Sequence, residues 1–183
     1  MHGKTTTASM ASKVLVDCGL DPTYVIGAKN GWRLGKSKYL IIEADDYKAK
    51  FLNYKPDILL LTNIEEEHMD YFKNLNHIER VFLQYIRQVK KVIIANKDNE
   101  NVLKNLKSKI SNIKINLYSL KDRGAGELRG KMMVAGEHNI SNGLAVLKLA
   151  QVLKIPRQKA LKSLLTFKGV WRRLEEKELK IVN

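Results

Sequence analysis

His2-Gly3-Lys4-Thr5-Thr6-Thr7, near the N-terminal end of the 183-residue chain, has the residue types that hold a triphosphate. The full pattern, G-x-x-x-x-G-K-[ST], sits between a strand and a helix, because consecutive backbone amides and a helix N-terminus must face phosphate oxygens. Gly3 allows close backbone approach, Lys4 can reach the β- and γ-phosphates, and the Thr5 hydroxyl can ligate Mg²⁺. Only the Gly-Lys-Thr end of the pattern is in this sequence, and alone it fits a threonine-capped helix start equally well.

Four further groups of residues carry possible chemistry. Glu43-Ala44-Asp45-Asp46 follows an apolar run, where α/β sheets place ligand-contacting side chains. A hard divalent cation beside a triphosphate needs oxygen ligands, and Glu43 is placed to supply one; the plain alternative is a strand-to-helix turn capped by Asp45 or Asp46. Thr62-Asn63-Ile64-Glu65, then His68-Met69-Asp70, follows a second apolar run. His68 beside carboxylates can be a second metal ligand, although a lone histidine is more often an ordinary surface residue. In Gly136-Glu137-His138-Asn139-Ile140-Ser141-Asn142, a helix starting near His138 puts His138 and Asn142 one turn apart, and an amide can pair with an adenine edge. Phe167-Lys168-Gly169-Val170-Trp171-Arg172-Arg173 offers a guanidinium that can clamp a phosphate.

The elements that position these residues follow from hydrophobic spacing. Thr5 to Leu20 reads as a helix, stopped by Gly19 and Pro22. Strands are expected at Tyr24 to Gly27, Tyr39 to Glu43, Asp57 to Asn63 and Val92 to Asn96, with helical stretches at Asp46 to Asn53 and His77 to Lys90 between them. Continuous apolar runs separated by helices fit buried parallel strands, so the fold class is α/β: a mostly parallel sheet flanked by helices. Asn99 to Ser111 reads as a basic helix, Ile113 to Leu120 as a strand, and the Gly-rich, charged 121–131 as turns around a hairpin ending at Val134. A helical pair is expected at Asn139 to Leu153 and Pro156 to Phe167, and a closing strand at Leu174 to Val182.

Residues 1–183 suffice for one core, so a single domain is expected. No apolar run is long enough to span a bilayer and no signal-peptide pattern opens the chain, which predicts a cytoplasmic protein without a membrane partner. Cys18 is read as a buried thiol. The net charge of +14 suggests a polyanion, but its distribution argues against nucleic acid. Between Glu43 and Asp70 eight acidic residues face three lysines, while the other lysines follow helical patterns without interleaved aromatics.

In their order and spacing the five motifs resemble the central ATPase domain of the Mur ligase family, whose pattern runs GTHGKTTT, EADE-like, TNIxxDHMD, GxHNxxN and FxGxxRR. The resemblance covers His2 to about Glu178. H-G-K-T-T-T, E-A-D, N-I-E-x-x-H-M-D and G-V-W-R-R look most like the branch that joins L-alanine to UDP-N-acetylmuramate, with the murein-peptide branch next. Leu83 stands where several other branches carry a modified lysine. The resemblance implies a P-loop-type ligase of peptidoglycan precursor synthesis using ATP and Mg²⁺: a substrate carboxylate is phosphorylated, and an amino-acid amine attacks the acyl phosphate to form an amide. It implies nucleotide contacts from His2, Gly3, Lys4, Thr5 and Thr6, a first Mg²⁺ on Thr5 and Glu43, and a second on His68. His138 and Asn142 would face adenine and Arg173 the phosphates, with Lys4, Glu43 and His68 as the catalytic set.

Against the family pattern, Met1 occupies a loop position, and the first loop glycine, the first strand and the flanking UDP-binding and amino-acid-binding domains are not among these 183 residues. The expectation is that this polypeptide alone does not ligate, and that open sheet edges favour self-association. UDP-N-acetylmuramate and L-alanine would be substrates of the full-length enzyme. The rival reading is a non-catalytic nucleotide- or polyanion-binding module on the same scaffold.

Overall fold

A computed structural model describes residues 2–29, 31–107 and 113–170. Helix α1 (Lys4–Asp17) starts directly at the Gly-Lys-Thr sequence and is followed by strands β1 (Thr23–Val25), β2 (Trp32–Arg33) and β3 (Leu40–Ile42). A 3₁₀ segment, Tyr47–Asn53, leads to β4 (Ile58–Leu61), α2 (Leu75–Arg87), β5 (Val92–Asn96), α3 (Glu100–Lys107) and β6 (Lys114–Tyr118). Helices α4 (Arg123–Leu128), α5 (Glu137–Val152) and α6 (Arg157–Leu165) complete the described part. The expected strand at Leu174 to Val182 and the end of the helix expected to reach Ser111 lie outside the described residues.

The strands are mostly parallel, as expected, but they form two three-stranded sheets in the orders β2-β1-β3 and β4-β5-β6. β1 pairs in parallel with β3 and antiparallel with β2; β5 pairs in parallel with both β4 and β6. Alternation along β5 explains the layering. Ile94 points into a core built with Met10 and Val14 of α1 and with α5 and α6, while Ile93 and Ala95 point into a core with Phe51, Ile78, Phe82 and Ile86. Both faces of this sheet are therefore covered, which is why its strands read as unbroken apolar runs.

Three expectations need correction. The 121–131 segment is not a hairpin: it holds α4, and the glycine that looked like a turn signal serves packing, since a Cβ on Gly124 would come 3.0 Å from the Leu144 side chain of α5. The Asp46 to Asn53 stretch is not a regular helix, because Lys48 and Ala49 adopt left-handed φ values of 53° and 54°. β2 was not foreseen; two residues carry no periodicity, and it exists because Gly31 lets its backbone come close enough for the Ile26 amide to donate to the Gly31 carbonyl at 2.6 Å. Cys18, expected to be buried, is half-buried.

Candidate functional site

The site forms where α1 begins, between the C-terminal ends of β3 and β4. Gly3 adopts φ +85°, a conformation glycine reaches without Cβ strain, and turns the chain into α1. It leaves no room for a side chain, since a Cβ there would lie 2.6 Å from Oδ1 of Asn142 on α5. His2 is held by Asn63, just past β4: its backbone N–H donates to Asn63 Oδ1 at 3.1 Å, and its carbonyl accepts from Asn63 Nδ2 at 2.8 Å. The Thr62 hydroxyl donates to the same carbonyl at 3.3 Å. The loop is thus clamped from one side by β4 and from the other by α5.

On the β3 side, the Thr5 hydroxyl donates to Glu43 Oε1 at 2.6 Å, and the Gly27 amide donates to Glu43 Oε2 at 2.6 Å. Thr5 and Glu43, 38 residues apart, therefore present adjacent oxygens at the N-terminus of α1, a donor set suited to a hard cation. Lys4 Nζ sits 3.0 Å from Asp46 Oδ1 and 3.9 Å from Glu67 Oε2. His68 Nε2 lies 3.4 Å from the same Asp46 oxygen, and its ring meets Tyr47 edge-on at 5.2 Å. Ligand atoms of Asp46, Glu67 and His68 all lie within 4.8 Å of one another, which also fits a divalent cation.

His68 has φ 56°, a costly conformation for a non-glycine residue and one that clusters at functional sites. The two acids after Glu43 divide their tasks. Asp45 caps the local turn, accepting from the Tyr47 amide at 3.0 Å, whereas Asp46 is buried and turned into the site. Burial pushes the Asp45 carboxyl up, but hydrogen bonds from Lys50 and the Tyr47 amide outweigh it and hold the group below the usual carboxylate range.

The structure brings His2, Gly3, Lys4, Thr5, Glu43, His68 and Asn142 together; half-buried Thr6 follows Thr5 on α1. Asn142 is buried against the loop glycine, while His138, one turn earlier, is exposed with its ring against Gly136. Arg173 lies outside the described residues. Asp46, Glu67 and Asn63 were passed over as site residues in the sequence. Asp46 was legible only as one of two adjacent acids, and nothing local distinguishes Glu67 from Glu65 and Glu66.

The Mur ligase middle domain matches residues 2–150. UDP-N-acetylmuramate--L-alanine ligase of Caldanaerobacter subterraneus subsp. tengcongensis is 34% identical, over 96% of this chain and 44% of that protein. The chain thus spans about half the length of the curated relatives it matches. Among solved structures, UDP-N-acetylmuramate:L-alanyl-gamma-D-glutamyl-meso-diaminopimelate ligase from Neisseria meningitides superposes with a TM-score of 0.79 at 27% identity, covering 94% of this chain and 65% of that one. UDP-N-acetylmuramate-alanine ligase from Thermotoga maritima gives 0.76 at 22% identity, over 94% and 44% of the two chains.

Proposed function

The chain belongs to the Mur ligase family, and on that premise we propose that it forms the ATP-handling domain of an enzyme joining L-alanine to UDP-N-acetylmuramate. The observation that carries this reading is the meeting of Lys4, Thr5, Glu43, Asp46, Glu67 and His68 at the start of α1. Their types fit the cofactor: backbone amides and an ammonium for phosphates, and two separate oxygen-rich donor sets for Mg²⁺. Bound Mg-ATP would supply the phosphoryl group that turns a carboxylate oxygen into a leaving group.

The chain's own residues then position and neutralise. Thr5 and Glu43 would hold one Mg²⁺, and Asp46, Glu67 and His68 a second beside the substrate carboxylate. Lys4 now rests on Asp46; phosphate oxygens would draw its ammonium forward, releasing the Asp46 carboxylate to a cation. Asn142 would act by fixing Gly3 against the phosphates, and His138, exposed one turn away, would face the base. Neutralising charge at fixed positions as the phosphoryl moves is the main contribution such a site can make.

Titration of the chain with Mg-ATP tests this. Lys4→Ala removes a charge-assisted contact and should weaken binding roughly 10- to 100-fold, and Glu43→Gln should raise the Mg²⁺ concentration needed. Salt-sensitive binding to arbitrary DNA, indifferent to Lys4→Ala and unaccompanied by any Mg-ATP binding, would favour the polyanion-binding alternative instead.

A further inference from the structure

The two donor sets at the start of α1 differ in what they already hold. Glu43 accepts from neutral groups, the Thr5 hydroxyl and the Gly27 amide, both at 2.6 Å. Asp46 instead holds a cation of the chain itself. Lys4 Nζ lies 3.0 Å from each of its two oxygens and 3.9 Å from Glu67 Oε2, so the ammonium stands against two of the three residues whose ligand atoms cluster within 4.8 Å. The third, His68, brings Nε2 to 3.4 Å from the same Asp46 Oδ1 that Lys4 engages. A divalent cation ligated by either Asp46 oxygen, at about 2.1 Å, would therefore stand within about 5 Å of the ammonium. The Lys4 and Asp46 side chains are only 21% and 5% exposed, so water and salt screen that repulsion weakly.

We infer that Lys4 is a stand-in cation: its ammonium closes the set of Asp46, Glu67 and His68 to a divalent ion until phosphate at the start of α1 draws it away. The inference rests on the reading of these residues as a Mg-ATP site and adds the order in which that site assembles. Among the described residues no side chain caps the N-terminus of α1, and its first turn carries no acid, so the amides there are open to an anion. Phosphate on those amides offers the Lys4 ammonium a second anionic partner within reach of its own stem. Once the ammonium moves, the buried Asp46 carboxylate loses that positive charge, and a divalent cation replaces it. The coupling is reciprocal: phosphate raises the affinity for this cation, and the cation raises the affinity for phosphate. Thr5 and Glu43 take their cation without such an exchange, because the bonds to Glu43 come from neutral donors. With no phosphate donor present, the chain thus keeps its second donor set from collecting free divalent ions.

The test is binding of Mn²⁺ alone to the intact chain, without nucleotide, read from the free Mn²⁺ signal in electron paramagnetic resonance. Lys4→Met and Lys4→Gln lack the ammonium and should weaken nucleotide binding, yet each should bind Mn²⁺ at least about ten-fold more tightly than the unsubstituted chain. Lys4→Arg keeps the charge and should show no gain. Adding His68→Ala to Lys4→Met should abolish the gain, whereas adding Glu43→Gln should leave it in place. No gain in either neutral variant, an equal gain in Lys4→Arg, or a gain that survives His68→Ala or is lost with Glu43→Gln would each overturn the proposal. The nucleotide reading fails separately. A chain that binds no Mg-ATP while Lys4→Met gains Mn²⁺ contradicts that reading and leaves the exclusion by Lys4 standing; a chain that binds Mg-ATP while neither neutral variant gains Mn²⁺ contradicts the exclusion alone.

Discussion

Gly3 illustrates how much of the site depends on a single backbone conformation. Its φ of +85° and the 2.6 Å approach that a Cβ would make to Asn142 are independent constraints, one local and one tertiary. Gly3→Ala should therefore destabilise by about 1–3 kcal/mol. Adding Asn142→Ala should recover only part of it, because the steric conflict is removed while the left-handed φ remains. Thermal melts of the single and double variants check this, and full recovery would mean that the backbone bears no strain. The glycine and Lys4-Thr5 were readable as a phosphate-binding sequence. Lys4 resting on Asp46, 42 residues away, was not, because sequence spacing carries no record of which carboxylate the fold returns to the loop.

Elements meet through contacts of the same kind. Asp17 closes α1 at the end where the helix dipole disfavours a carboxylate, yet it accepts from Ser163 of α6 at 2.6 Å and pairs with Lys13. Burial pushes the Asp17 carboxyl up, but the bonds from Lys13 and Ser163 outweigh it and leave the pKa below its usual 3.8. A depressed carboxyl pKa contributes stability that is complete above the unfolded value and lost as pH falls through the folded one. Asp17→Asn should therefore cost stability near pH 6, by less than about 1 kcal/mol for a pair this exposed, and the cost should shrink and then disappear as pH falls below the ordinary 3.8 and through the depressed folded value. Urea melts across that range decide it; a penalty that persists in acid would assign the effect to packing. Helix α2 was legible because one face of it must be apolar and α5 because it is a long run buried on most sides, whereas α4 was hidden by Gly124, whose purpose, close packing on Leu144 of α5, exists only after folding.

Over the whole molecule, protection should follow the layers. β5 lies between two hydrophobic cores with Ile93, Ile94 and Ala95 fully buried, while among the described residues β3 and β4 each pair on one side only. Amide exchange should be slowest in β5, faster in β4 and β3, and fastest in β2, where Trp32 is 74% exposed. Mass-spectrometric exchange measures this order directly, and slower exchange in β3 than in β5 would contradict the pairing of β3 on one side only. The sequence alone determined the α/β class and the principal strands, and it marked residue types whose chemistry suits phosphate and a hard cation, because these depend on local spacing and side-chain chemistry. Only the tertiary structure decided that the strands divide into two sheets with a groove between them. It alone decided that Asp46, Glu67 and Asn63 join the site and that Asn142 packs against Gly3. Those outcomes depend on which distant edges and loops pack side by side at the ends of β3 and β4, and residue order along the chain does not encode that separation in any local pattern.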